Sequence, residues 1–368
     1  MKSLSISKAF AYPPYRDLGA PLTLRPLLPE PAGEGDPFDA WEAETRPRLW
    51  SEWNGLLGQP VAESETREAE KVAEWGDDEL VATYYLQPTT HGLRQRVIVV
   101  RPAEPGAGPM PAAVVPFYRP QEAAGVPAFG AWDQPFTLEG QPWKDDSRQY
   151  GRHLVRLGFT VACVEAYPFN LVPDEEASRV EELALGRWQL AAEKWAQLAP
   201  GWTGLGKLVY DTRRAIDLLL EQPGVDAQRV LAIGHSLGGK MAFYTGVFDP
   251  RVTAVIGSDF GLPWASTNWD APWYLGARRP SEESGMAHHE LLALLAPRPF
   301  FLIAGETDNR RSWQILNAAR PIYAMHGHPE RLGGIDHASG HQPQEASLDI
   351  AYAWLAEQFF LPHRRWRR

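Results

Sequence analysis

Blocks of apolar positions separated by polar turns run along most of the chain, and their lengths and periods predict its elements. Residues 80–87 and 95–100 are rich in β-branched and aromatic side chains and are joined near His91-Gly92, which predicts two antiparallel strands. Residues 112–117 form a short unbroken apolar run, the mark of a buried strand. Beyond it, helix-type and strand-type blocks alternate. A helix over 146–157 precedes a strand at 159–164, and a helix over 208–221 precedes the apolar strand Arg229-Val230-Leu231-Ala232-Ile233. Strands follow at 252–257, 299–304 and 331–335, with helices over 286–294, 312–324 and 343–360. This alternation predicts an α/β fold in which a mostly parallel sheet carries helices on both faces. Upstream, Phe38, Trp41, Leu49, Trp50 and Trp53 have helical spacing, whereas residues 1–36 are rich in Pro and Gly and read as an extended arm. The expected organisation is an extension over 1–79 packed on a catalytic domain over 80–368, with insertions at about 119–145, 168–206 and 260–276.

The chemistry concentrates where the strand ending at Ile233 meets Gly234-His235-Ser236-Leu237-Gly238-Gly239 and then Lys240-Met241-Ala242. A G-x-S-x-G turn between a strand and a helix lifts a serine clear of the sheet on a strained backbone. Gly234 and Gly238 flank it because a Cβ at either place would meet a neighbouring strand or helix. The helix that follows points its first N–H groups toward the serine, where an oxyanion can be stabilised. Ser236 is therefore the candidate nucleophile.

A serine needs a base and a group that orients the base. In this arrangement they follow in the chain order Ser, Asp or Glu, His. The strand at 300–304 ends in Gly305-Glu306-Thr307-Asp308, which places Asp308 as the expected orienting carboxylate, with Glu306 beside it and Asp259, at the end of the preceding strand, as the alternatives. His341, after Gly340 and before Pro343, is the expected base, and His337 its alternative. Leu237 and Tyr118, the latter on the loop after the strand at 112–117, are the expected backbone donors to an oxyanion. Trp264, Trp269 and Trp273, with Tyr274, crowd one loop near the same sheet edge, either to stack on a substrate sugar or to pack as a lid. Further aromatics, among them Trp132, Trp143, Trp188 and Trp202, fall in the other two insertions.

Composition narrows the partners. The 368 residues carry a net charge of −10, which argues against a general nucleic-acid binder. The basic tail Arg364-Arg365-Trp366-Arg367-Arg368 is expected to be solvated. The one cysteine, Cys163, has no intrachain partner and reads as a small buried hydrophobe. The histidines lack a zinc spacing such as H-E-x-x-H, so neither a metal nor another cofactor is expected. No apolar stretch has transmembrane length and no leader is visible, which leads to the expectation of a cytoplasmic protein, a trimmed secreted form being the alternative.

The elbow with Lys240-Met241, followed by Asp249-Pro250-Arg251-Val252, resembles the α/β-hydrolase superfamily. Arg48-Leu49-Trp50 with Leu57-Gly58-Gln59-Pro60, Ser258-Asp259 with 268–276, and Leu295-Ala296-Pro297-Arg298-Pro299 resemble its acetyl-xylan-esterase and glucuronoyl-esterase-like branch, near the dienelactone hydrolases. The resemblance covers roughly residues 45–360. It implies a serine esterase working through an acyl-enzyme on a small-molecule or carbohydrate ester, with an acetylated carbohydrate as the expected class. Two departures stand out: the elbow holds Ser236 where dienelactone hydrolases have cysteine, and Leu237 where glucuronoyl esterases have an oxyanion-binding arginine. The competing functions are a serine peptidase acting on small peptides and a hydrolase-fold binding protein without activity.

Overall fold

The computed structural model describes residues 5–28, 36–58, 68–128, 146–180 and 185–367. Nine strands form one sheet: β1 Glu70–Gly76, β2 Leu80–Pro88, β3 Arg94–Pro102, β4 Met110–Pro116, β5 Thr160–Val164, β6 Val225–His235, β7 Ala254–Ser258, β8 Phe300–Ala304 and β9 Leu332–Asp336. Their spatial order is β1-β2-β3-β5-β4-β6-β7-β8-β9. The first three strands and the β3–β5 pair are antiparallel, and every pair from β5 to β9 is parallel. This is the α/β-hydrolase architecture that the alternation and the elbow predict.

The two-residue period of the strands sets the two faces. Ala112, Val114, Val230 and Ala232 enter one apolar cluster with side chains of helices Gly204–Leu220, Leu237–Phe248, His288–Leu295 and Ser312–Met325. Ala113, Val115, Leu231 and Ile233 enter the other with helices Tyr150–Arg156 and Glu345–Gln358. Both faces are thus covered, which is why β4 reads as an unbroken apolar run rather than an alternating one. Cys163 lies buried in the second cluster.

β1 lies in a stretch that reads as merely polar. It is an edge strand of mostly exposed side chains, and its pairing with β2 shifts register between Lys71 and Ala73. Backbone pairing with β2 builds it, and backbone pairing leaves no hydrophobic signature; its charged residues suit an edge that must not recruit other strands.

Helix Arg46–Leu57 buries Leu49, Trp53 and Leu57, one every turn. The Trp53 ring stacks near Trp264 and His288, at centroid distances of 6.1 and 6.0 Å. Its Nε1–H donates to Glu290 at 2.8 Å. The Glu290 carboxylate, almost fully buried, is also held by Arg25 at 2.7 Å. At the other end of the described chain, Arg364 and Arg365 are exposed, as composition leads one to expect, but Trp366 is not. Trp366 is 1% exposed and packs 4.1 Å from the His153 ring, because a tryptophan among arginines still has a large apolar surface to bury.

Candidate active site

β6 delivers Ser236 to the carboxyl edge of the sheet, and helix Leu237–Phe248 begins directly after it. Ser236 adopts φ 53° and ψ −115°, a conformation that non-glycine residues rarely hold. Its N–H donates to the Ser258 carbonyl of β7 at 2.8 Å, which pins the strained turn to the neighbouring strand. The glycines have the reasons the sequence suggests. A Cβ on Gly234 would overlap the Gly238 carbonyl, one on Gly238 would overlap the Pro116 carbonyl at the end of β4, and one on Gly239 would come within 2.7 Å of the Phe260 Cβ. Three strand ends and one helix converge on the serine only because these Cβ atoms are missing. Leu237 opens the helix, so its N–H has no acceptor within the helix and faces the serine's side of the turn.

His341 lies on the loop between β9 and helix Glu345–Gln358. Its ring packs against His235, the residue before Ser236, at a centroid distance of 4.6 Å. Its Nδ1 is 2.6 Å from Oδ2 of Asp259, a fully buried carboxylate one residue beyond β7. Asp259 itself has φ 42°. It accepts N–H bonds from Gly305 at 3.2 Å, Glu306 at 3.1 Å and Asp308 at 2.8 Å, and the Thr307 hydroxyl at 3.1 Å. Burial pushes this carboxyl up, but the His341 bond and the N–H groups of Asp308 and Glu306 outweigh it and hold Asp259 below the usual aspartate value.

Asp308, the carboxylate expected to orient the histidine, does not meet it. Its oxygens accept the N–H groups of Phe260 at 2.8 Å, Gly261 at 2.7 Å and Leu262 at 2.6 Å, with the Ser312 hydroxyl at 2.8 Å. Those four donors occupy the carboxylate, and the strand order puts β7, not β8, beside the elbow strand. Burial raises its pKa to about 6 against the pull of these donors. Glu306 is exposed and contributes only its N–H to Asp259. His337 turns its Nδ1 to the Ser339 hydroxyl at 2.9 Å instead of to a carboxylate.

Tyr118 leaves β4 beside the elbow; its ring lies edge-on to Phe117 at 4.9 Å and to Trp188 at 5.5 Å, and burial raises its pKa. The tryptophans of the third insertion are buried, at 5% exposure for Trp264, 0% for Trp269 and 8% for Trp273. Trp264 donates to the Met286 carbonyl and Trp269 to the Gly261 carbonyl, both at 2.7 Å. Trp264 and Trp269 are thus packed inward, and Trp273 borders an open cavity of about 690 Å³ together with Leu190 and Pro272. Trp132 and Trp143 lie outside the described residues, as does part of each of the first two insertions.

Three groups escape a reading of the sequence. His235 is buried and its pKa lies well below the usual histidine value, first through burial and then through the nearby Arg148 charge. Ser147, beside Arg148, accepts the Gln342 side chain at 3.3 Å and so joins the turn Asp146–Arg148 to the histidine loop. Lys240 is buried one helical turn beyond Ser236, donates to Asn268 at 3.0 Å and lies 4.4 and 4.1 Å from the rings of Trp269 and Tyr274. Burial lowers its pKa to about 7. A lone lysine in an otherwise apolar helix was the one available signal for it. Among the described residues no three His, Cys, Asp or Glu side chains gather as a metal-binding group, and no helix is long and apolar enough to cross a membrane.

No family model matches the chain. A curated relative, "Putative hydrolase YtaP" of Bacillus subtilis, is 26% identical over 147 residues. That alignment takes in 37% of this chain, and it spans only about half, 48%, of the relative. Among solved structures, the chain is similar to a glucuronoyl esterase from Solibacter usitatus, with a TM-score of 0.68, 19% identity and coverage of 92% of this chain and 99% of that one. A Bacteroides fragilis protein described as a "putative acetyl xylan esterase" gives 0.63 at 17% identity over 86% and 79%. The glucuronoyl esterase catalytic domain of Hypocrea jecorina gives 0.58 at 16% identity over 95% and 93%. At these identities the likeness is one of fold.

Proposed function

We propose that the protein is a carboxylic ester hydrolase in which Ser236, His341 and Asp259 act as nucleophile, base and orienting acid. The observation that carries this reading is the 2.6 Å bond from His341 to a buried carboxylate, made by a histidine that packs against the residue preceding a strained elbow serine. Asp259 fixes the tautomer by accepting the Nδ1 proton, which leaves Nε2 free to take the Ser236 hydroxyl proton as Oγ attacks the ester carbonyl. The tetrahedral oxyanion is held by the Leu237 N–H and by a second N–H from the loop at Tyr118. His341 returns the proton to the departing alcohol, leaving an acyl-serine. Water, deprotonated by the same histidine, then releases the acid and restores the enzyme.

The substrate class proposed is a carbohydrate ester with a short acyl group, acetyl before others. The fold shared with glucuronoyl and acetyl xylan esterases supports it. So does the exit of the long, aromatic-bearing loops at the catalytic edge, where such loops set specificity. Labelling with a fluorophosphonate, read by intact mass, together with hydrolysis of p-nitrophenyl acetate, acetylated xylo-oligosaccharides and a glucuronate methyl ester, tests it. One adduct per chain and turnover of the acetyl esters are expected. Ser236→Ala should abolish labelling and lower kcat on the order of 10⁶-fold, the scale reached when a triad nucleophile is removed. Labelling that survives Ser236→Ala would overturn the reading.

A further inference from the structure

Trp366 and Arg367 reinforce a contact between helices Tyr150–Arg156 and Glu345–Gln358 that is already made by His153 and the Tyr352 hydroxyl at 2.8 Å. The Trp366 indole is buried against the rings of His153 and Tyr352, at centroid distances of 4.1 and 5.9 Å. Its Nε1–H donates to Asp349 of the last helix, and its carbonyl accepts Arg156 at 3.3 Å. The indole thus covers the junction of helix Tyr150–Arg156 with helix Glu345–Gln358. Arg367 lies over that indole, 4.6 Å from its centroid, and reaches two carboxylates: Asp146 at 2.8 Å and Glu345 at 3.3 Å.

Those two carboxylates bracket the histidine loop. Glu345 is the first residue of the helix that follows His341 by four positions. Asp146 opens the turn whose Ser147 hydroxyl accepts the Gln342 side chain, next to His341 itself. On its other side the loop is irregular, with Ala338 at φ 50° and Gly340 at φ 89°. One guanidinium therefore closes a circuit in which three contacts, Arg367 to Asp146, Ser147 to Gln342 and Glu345 to Arg367, are joined by the chain from Asp146 to Ser147 and from Gln342 to Glu345. A half-exposed ion pair contributes little by itself. Here the cation is placed in advance by a buried indole and shared by two segments that must hold one geometry, which is the setting in which a network acts as a positional constraint.

We infer that Trp366 and Arg367 form a strap that fixes the loop carrying His341, and that they are positioning residues of the reaction proposed above. The inference rests on that reading for its kinetic half only. The full chain with Arg367→Gln is compared with wild type, and Trp366→Phe, which keeps an aromatic anchor, serves as the conservative variant. Two readouts are taken: steady-state hydrolysis of p-nitrophenyl acetate, and hydrogen exchange of peptides covering 337–344 and 146–149. For Arg367→Gln we expect kcat to fall about fivefold to tenfold with KM within about twofold, since small displacements of a catalytic group are costly while binding is untouched. Exchange at 337–344 should quicken while peptides of β6 to β8 keep wild-type protection, and Trp366→Phe should fall between the two. Exchange and kcat both within about twofold of wild type would overturn the strap, as would faster exchange with unchanged kcat. A wild type that hydrolyses no ester would instead overturn the proposed function, and the exchange comparison would then decide by itself whether Arg367 holds the loop.

Discussion

Asp259 and Asp308 hold each other's loops. The Asp308 N–H donates to Asp259 at 2.8 Å, while the Asp308 carboxylate collects the N–H groups of the three residues that follow Asp259. Two adjacent strand ends are thereby locked together, and the carboxylate that faces His341 owes its left-handed backbone and its aim to the one that does not.

This division of labour separates two variants. Asp259→Asn removes the acceptor that fixes the His341 tautomer, and kcat should fall on the order of 10⁴-fold, the scale seen when a serine protease loses its orienting carboxylate; the melting temperature should drop too, since Asp259 also accepts four other donors. Asp308→Asn disturbs the same chemistry only through the loop, so kcat should fall about tenfold while the melting temperature drops, since a buried acceptor shared by four donors is weakened. Steady-state kinetics beside thermal melts distinguish them. A larger loss of kcat in a folded Asp308→Asn would return the acid role to Asp308.

Gly238→Ala tests the crowding at the elbow. The added methyl group would overlap the Pro116 carbonyl, which belongs to β4 and cannot swing aside as a side chain would. We expect a destabilisation of about 1–3 kcal/mol, typical of overpacking, and a loss of turnover larger than stability alone explains, because β4 also carries the Tyr118 loop. Chemical denaturation paired with initial rates measures both. An alanine variant of wild-type stability would mean that the elbow is looser than its contacts imply.

Lys240→Met tests the buried amine through pH. The Lys240 pKa falls to about 7 in the fold, whereas an unfolded lysine titrates near 10.4. Between those values the unfolded chain binds the extra proton. The native state's advantage from a neutral Lys240 is therefore complete above about pH 10.4, and it is lost as pH falls toward 7. Relative to wild type, the methionine variant should gain stability from pH 9.5 down to about 7.5 and change little below 7. Melting curves of both proteins across this range give the difference directly, and a difference that does not vary with pH would place the ammonium in contact with water.

Acyl-chain length tests the substrate class. Trp264 and Trp269 are packed inward with their indole N–H groups bonded to backbone carbonyls, so neither ring is offered to a long acyl chain. Acetyl esters should be turned over faster than esters of about eight or more carbons, which need a continuous apolar trough. A p-nitrophenyl ester series from acetate to decanoate decides the matter, and fastest hydrolysis of the long chains would discard the carbohydrate reading.

Much of the fold could be read from sequence because its strands are buried on both faces and its helices on one, so hydrophobic period and element type coincide. β4 to β9 fall within a few residues of where the apolar blocks lie, although β6 begins at Val225, well before its apolar part. β1 could not be found that way, since its stability comes from backbone pairing at an edge. The final helix starts at Glu345 and not at Pro343, because Gln344 takes the cap position. At the proposed site, the turn and chain order single out Ser236 and His341 as candidates. Their carboxylate partner is not singled out that way: two aspartates end neighbouring strands, and the choice between them depends on which loop the histidine reaches across the sheet. Trp366 was hidden by its company, four arginines being a stronger compositional signal than one indole.

The salt link between Arg25 and Glu290, with Trp53 as its third member, bears on how the protein can be cut. Glu290 sits in the helix His288–Leu295, yet both of its partners come from the first 57 residues. A fragment starting at residue 80 would keep Ser236, Asp259 and His341, yet it would strip both partners from Glu290 and bare the Trp264 and His288 rings that Trp53 covers. The sheet and its helices are thus not a portable module. Anyone trimming the chain, fusing it or grafting its loops onto another scaffold must carry the arm along.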